Sequence, residues 1–306
     1  MIFIKKLIIK ELFGSKNITI DFIKDVQVLV GINGVGKTTI LNIINDLLLN
    51  NKKSKYLKSC TFASIELEDE RVISYENDIQ DDFDLLLDNF LKNSEDDMLN
   101  NEFHETLMKN NSAIKKALRE HSKNQKFSMV DHEIKVKTIS TADLKLKSLL
   151  NLSIGDSDNM LDEEIERELS FMKGKSLTKR KDLSDSLCEL FSESNKEVII
   201  DDNGKMMVYS NQKGGVIFHE ISELSSGERQ VIYILMKIAN IKHGEKSLIL
   251  MDEPEISLHL SWQKKLIKII KNINPNSQVI IVTHSPAIVM DGWRDSYIDI
   301  SKLLND

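Results

Sequence analysis

Apolar positions along the chain change period several times, and each change marks an element. FIKKLIIKELFG, NITIDF and VQVLVG are short apolar runs rich in β-branched residues, broken at Gly14 and Asn17, and they predict three strands. KTTILNIINDLLLN then carries Ile40, Leu41, Ile44 and Leu48 at helical spacing, so the glycine-rich stretch before Lys37 lies between a strand and a helix. CTFASIELED and RVISYEN predict a hairpin turning over Glu68 to Arg71 and closing an N-terminal lobe at residues 1–78. From 79 to 194 the texture becomes Leu, Lys, Asp, Glu, Asn and Ser without a proline, which predicts a mainly helical insertion with breaks at 153–159 and 172–176. Heptads are not sustained there, so a compact bundle or short arm is expected rather than a long coiled coil.

Strand texture returns in KEVIIDDNGKMMVYS, where DDNG marks a turn. The stretch at 195–306 then alternates: LSSGERQVIYILMKIANI reads as loop and helix, SLILMDEP as strand, ISLHLSWQKKLIKIIKNI as helix and QVIIVTHSP as strand. Such alternation with continuous apolar strands implies an α/β class with a largely parallel, buried sheet. The N-terminal lobe and residues 195–306 thus read as two halves of one domain, split by the insertion.

Chemistry enters at the ends of these elements. Gly31-Ile32-Asn33-Gly34-Val35-Gly36-Lys37-Thr38 satisfies GxxxxGK[ST] and follows a strand and opens a helix, the context that defines a P-loop. Its glycines let backbone N–H groups curl around phosphates, with Asn33, Gly34, Val35, Gly36 and Thr39 completing the cradle. Lys37 is placed to reach the β/γ oxygens of ATP, and Thr38 to offer a hydroxyl to Mg²⁺. In SLILMDEPE, Asp252 at the strand end is the candidate to hold the Mg²⁺ shell and Glu253 the candidate to orient or deprotonate the attacking water. His284 sits where the next strand runs out and is placed to reach a γ-phosphate oxygen.

Composition narrows the setting. An apolar fraction of 41% can supply a core, and no run of about 18 apolar residues appears, so membrane spanning is not expected. MIFIKKLIIK is short, charged and without a small-residue cleavage site, which together with two isolated cysteines, Cys60 and Cys188, points to the cytoplasm. A net charge of −7 argues against a uniformly basic nucleic-acid binder. Residues 109–147 nevertheless hold ten Lys/Arg against four acids; with KGKSLTKRK at 173–181 they form either solvated helix faces or a local surface for DNA.

The P-loop, LSSGE at 224–228, the Asp-Glu strand and the strand-end histidine, in that order, resemble the ABC-type ATPases over about 1–78 and 196–290. Glu228-Arg229, Glu255-Ile256-Ser257-Leu258-His259 and THSP are similar to the OLD/RecF/SMC-like group, including the small prokaryotic ATPases labelled AAA15 or AAA21. Ser226 in place of a glycine and Leu260 in place of a proline depart from its pattern. The resemblance implies an ABC-type fold with a mixed or parallel sheet and an antiparallel N-terminal lobe. It also implies a head-to-tail homodimer sandwiching two ATPs, in which the signature residues Ser225, Ser226, Gly227 and Glu228 of one copy meet the triphosphate held by the other. Ser257 and His259 would lie in the loop crossing that interface, and Gln80 is the candidate for the metal-linked glutamine between lobes. OLD enzymes carry a TOPRIM nuclease domain, for which the stretch after Pro286 is far too short. The expectation is therefore an ATP-hydrolysing sensor or scaffold in anti-phage defence, acting through a separate effector such as a nuclease. A RecF-like DNA clamp using Lys115, Lys116 and Arg119 is the alternative.

Overall fold

The computed structural model describes residues 3–51, 53–77, 125–128, 135–140, 160–242 and 247–304. These fall into two compact units, and the chain passes between them more than once: residues 1–24, 31–136 and 299–306 form the first, residues 25–30 and 137–298 the second.

In the first unit, β1 (Ile4–Leu12), β2 (Lys16–Asp21), β4 (Phe62–Leu67), β5 (Val72–Asn77) and β6 (Gln125–Ser128) make a sheet of order β2-β1-β4-β5-β6, in which each pair is antiparallel. Leu7 and Ile9 of β1 and Ile18 and Ile20 of β2 alternate as buried residues, as a sheet with one covered face requires, and an irregularity between Ile9 and Leu12 returns Leu12 to the buried face. Helix α1 (Lys37–Leu48) packs against β4 and β5 and buries Ile40, Leu41, Ile43, Ile44 and Leu47. Asn17 does not break a strand: it lies within β2, and its side-chain oxygen accepts the backbone N–H of Glu11 across the hairpin.

The second unit centres on a sheet of order β13-β3-β12-β11-β7, built from β3 (Val26–Val30), β7 (Val136–Ser140), β11 (Leu248–Asp252), β12 (Gln278–Val282) and β13 (Tyr297–Asp299). Val136 and Asp299, at the outer strands, fall to the first unit. Strands β3, β12 and β11 run parallel, and every residue of β11 and β12 is buried. That is why these segments read as continuous apolar runs rather than as alternation. Helices α2 (Met160–Ser170), α3 (Leu177–Phe191), α4 (Ser226–Ala239) and α5 (Leu260–Ile273) pack together in this unit, α4 touching each of the other three. A second sheet, β10-β9-β8, is formed by β8 (Lys196–Ile200), β9 (Met206–Gln212) and β10 (Gly215–His219).

Two features at this level add to the sequence expectations. Strands β6 and β7 occur inside the stretch expected to be mainly helical, and each is added to the edge of a different sheet. Strand pairing supplied by distant residues outweighs local texture here. In the basic run at 173–181, Lys173 and Lys181 are exposed, but the other three cationic side chains are engaged within the fold. Lys175 Nζ donates to the Asn240 carbonyl, Lys179 Nζ to those of Ala239 and Ile241, and Arg180 is buried and paired with Asp202. Unsatisfied carbonyls at the end of α4 attract those ammonium groups. Both thiols are free: Cys60 Sγ donates to the Leu57 carbonyl, and Cys188 Sγ accepts the Val198 N–H. No helix among the described residues is long and apolar enough to cross a membrane.

Candidate functional site

Strand β3 ends at Val30, and the chain passes directly into the glycine-rich loop of the first unit. Gly34 and Gly36 have φ of +78° and +102°, torsions that a side chain resists. Space adds a second demand at Gly36, where a Cβ would lie 3.0 Å from the Phe13 ring; around Gly34 nothing lies within 4 Å. Gly36 is also the N-cap of α1 and supplies no side-chain cap, so the first amides of the helix are left to the loop. Lys37 folds back inside that loop, its Nζ donating to the carbonyls of Gly31 at 2.8 Å and Ile32 at 3.1 Å. Asn33 and Thr38 are exposed, Thr39 is half-buried, and Val35 is buried beneath the loop. Ser301, from the short turn Ile300–Lys302, supports the loop from behind: its Oγ accepts the Ile32 N–H at 3.4 Å and would stand 3.1 Å from a Cβ on Gly31. Glycine torsions at a helix start and a lysine already inside the loop fit an anionic phosphate chain, and the exposed Thr38 at the helix start fits a magnesium ligand.

The second unit holds the acidic and histidine positions. Strands β11, β12 and β3 end in register, with Asp252 opposite Val282 and Val282 opposite Leu29. Asp252 is 4% exposed. The next residue, Glu253, takes φ of +48°, a conformation costly for a residue with a Cβ. Its N–H donates to the Val282 carbonyl, and its Oε1 lies 3.3 Å from Nε2 of His284. The kink thus ends the regular strand after the buried Asp252 and sets the Glu253 carboxylate beside His284.

The turn after Glu253 is tied down by side chains to which the sequence motifs assigned no role. Glu255 is buried, and its Oε1 accepts the N–H groups of both His284 and Ser285. Ser285 Oγ donates to Gln263, whose amide donates to the Leu258 carbonyl; Gln230 of α4 donates to the Pro254 carbonyl. A third acid in DEPE was visible in the sequence, yet nothing there marked it as inward-facing.

The LSSGE residues form the start of α4. Ser225 is the N-cap: its Oγ accepts the Glu228 N–H, while Glu228 accepts the Ser225 N–H at 2.9 Å, a reciprocal capping box. Ser225 and Ser226 are exposed, whereas Gly227 and Glu228 are buried. A Cβ on Gly227 would stand 2.5 Å from the carbonyl oxygen of Ser257, itself at φ +67°, so this glycine is dictated by close backbone approach. Glu228 is paired with Lys196 at 2.8 Å and 3.0 Å and also receives Ser194 Oγ. Burial pushes its carboxyl up, but the Lys196 ammonium and the bonds from Ser225 outweigh this and hold it below the ordinary carboxylate range. Arg229 makes an ion pair with Asp162 of α2. His259 caps α5, its Nδ1 accepting the Ser261 N–H, and Leu260 takes the first helical position, where proline would also be accommodated.

Residues 26–291 match the family described as "AAA domain, putative AbiEii toxin, Type IV TA system". The chain belongs to this family. It is an ATPase of the ABC/SMC-like type. It is 27% identical over 310 residues to the Septu protein PtuA of Bacillus thuringiensis, which covers 94% of this chain and 73% of that protein. Over 80 residues it is 32% identical to the "Retron Vc95 probable ATPase" of Vibrio cholerae, spanning 22% of this chain and 15% of that one. In fold it is similar to the SMC head domain from Thermotoga maritima, with a TM-score of 0.50 at 13% identity over 94% of this chain and 91% of the other. The ABC-type α/β architecture expected from the motifs is therefore the fold of this ATPase.

Among the described residues, no group of three or more His, Cys, Asp and Glu side chains is placed to hold a metal ion by itself. Gln80, and the scattered Asp96, Asp97, His104 and His132, lie outside the described residues, as do Lys115, Lys116 and Arg119 of the basic stretch.

Proposed function

We propose that this ATPase binds ATP with Mg²⁺ through Lys37, Thr38 and the loop amides, and hydrolyses it with Asp252 as magnesium ligand, Glu253 as base and His284 as phosphate sensor. The observation carrying this reading is the left-handed kink at Glu253, which puts its carboxylate beside His284 at the end of the parallel strands. Strain of that kind persists where surrounding structure over-determines it, commonly at reacting groups. Magnesium supplies charge neutralisation for the phosphates; Glu253 orients or deprotonates the water, and Lys37 holds the oxygens in place.

In this proposal two copies close head to tail over two ATPs. The exposed Ser225 and Ser226 meet the triphosphate held by the other copy, while Gly227 and Glu228, buried beneath them, keep the turn in shape. The chain then acts as the sensor or scaffold of an anti-phage module whose effector, a nuclease, is a separate polypeptide. Similarity to the Septu protein PtuA and to a retron ATPase supports this setting.

Glu253→Gln tests the chemistry. Loss of a general base costs about 10²- to 10⁴-fold in rate, so phosphate release should collapse while ATP binding persists and a nucleotide-dependent dimer accumulates in light scattering. Turnover at the wild-type rate would remove Glu253 from the mechanism. Ser225→Arg should bind ATP yet fail to dimerise on it; normal hydrolysis by that variant would refute the signature contact. Isolating Glu253→Gln from its host with ATP and Mg²⁺ tests the module: a stoichiometric nuclease supports it, and DNA without a protein partner overturns it in favour of a clamp.

A further inference from the structure

Among the described residues, strand β10 presents an open edge that matches a second copy of itself. It is the outer strand of the β10-β9-β8 sheet, and its three central residues are exposed on both faces: Val216 by 54%, Ile217 by 43% and Phe218 by 66%. Exposed edge strands are normally blunted by lysine, proline or a bulge. GVIFH has no lysine or proline, and its register with β9 runs unbroken from Gly215 opposite Gln212 to His219 opposite Val208. The apolar surface continues inward across the sheet, where Phe218 packs on Tyr209 with ring centroids 6.2 Å apart and Ile199 of β8 is 45% exposed.

The hairpin geometry selects the partner. The two-residue turn Lys213-Gly214 closes on the pair Gln212 and Gly215, which is a hydrogen-bonded pair in such hairpins. Bonding alternates from there, so Gly215, Ile217 and His219 direct their backbone groups to β9, and Val216 and Phe218 direct theirs to the open edge. An antiparallel pair centred on Ile217 then sets Val216 opposite Phe218 of the second copy, twice, with both members of each pair offering N–H and C=O. In the same register Glu220 of the second copy stands opposite Gly214, one position from exposed Lys213 of the turn, so at each end the nearest charged residues are of opposite sign. Partners related by a two-fold axis require this self-complementarity.

We infer that β10 joins two copies edge to edge into a continuous six-stranded sheet, without nucleotide. This contact is separate from the ATP sandwich and does not rest on it. A nucleotide-bound dimer carries two such edges, so the second contact links dimers into larger assemblies.

A five-residue edge is well short of the roughly 800 Å² per partner of a standard interface, so the association is weak and visible at about 50 µM chain rather than about 1 µM. Light scattering of the nucleotide-free protein across that range should show mass rising toward a dimer. Val216→Pro removes an outward N–H without cutting the bonds to β9, and should leave the protein monomeric with its melting temperature unchanged. Should that variant misfold, cysteine cross-linking decides. Facing Ile217 residues in a non-hydrogen-bonded pair have Cα atoms about 4.5 Å apart, within disulfide reach, so oxidised Ile217→Cys should form covalent dimers at least tenfold faster than Val216→Cys or the wild type with its native thiols. A monomer at every concentration, a dimer that survives Val216→Pro in folded protein, or equal cross-linking at both positions would overturn the inference.

Discussion

Lys196→Met isolates what holds the LSSGE turn in shape. Glu228 is 5% exposed, and Lys196 is its sole cationic partner among the described ion pairs. Breaking a buried pair from one side costs about 3–5 kcal/mol, because the remaining charge is left without a counter-charge. Three hydrogen bonds survive around Glu228, two from Ser225 and one from Ser194, so the low end, about 3 kcal/mol, is expected. Glu228→Gln keeps an acceptor for the Ser225 N–H and should cost about 1–2 kcal/mol. The double variant should be more stable than Lys196→Met alone, since no stranded carboxylate is left. Both tryptophans, Trp262 and Trp293, lie in the second unit, so urea unfolding followed by their fluorescence reports the unit that contains the pair. The pH dependence carries the sign. A carboxyl held below its unfolded range contributes stability that is present above the unfolded pKa and lost as pH falls through the folded one. The gap between wild type and Glu228→Gln should therefore be full at neutral pH and shrink in acid. Additive single-variant costs, or a loss below about 1 kcal/mol for Lys196→Met, would refute the reasoning.

Two further perturbations follow from single contacts. Gly34→Ala meets open space, so only its positive φ is penalised, at about 1–2 kcal/mol, while Gly36→Ala must also displace the Phe13 ring and should cost more; thermal melts order the two, and equal losses would discount the ring contact. Glu255→Ala removes the acceptor for the N–H groups of His284 and Ser285, and should cost about 1–3 kcal/mol and slow ATP turnover, with Glu255→Gln recovering most of both. Failure of the glutamine to recover either quantity would mean that charge, rather than the acceptor, matters at this position.

The sequence by itself determined the parts that depend on local rules. Strands β1, β3, β4, β5, β11 and β12 and helices α1, α4 and α5 were legible because burial on one face or both imposes period two, period 3.6 or an unbroken apolar run. The P-loop was legible for a related reason: positive φ at Gly34 and Gly36 and an uncapped helix start demand particular residues at fixed spacing. Tertiary structure alone decided which distant groups meet. Lys196 and Glu228 are 32 residues apart, Glu255 and His284 are 29 apart, and Arg229 reaches back 67 residues to Asp162. Acids and lysines at such separations look like ordinary surface charges until packing removes their water and makes a partner obligatory. The same reason explains Lys175 and Lys179 in the basic run at 173–181, which turn to carbonyls at the end of α4, and β6 and β7, whose strand character comes from the sheet edges they complete. Local preference is written residue by residue in the chain; the removal of solvent that fixes a charge or extends a sheet exists only once the chain has folded.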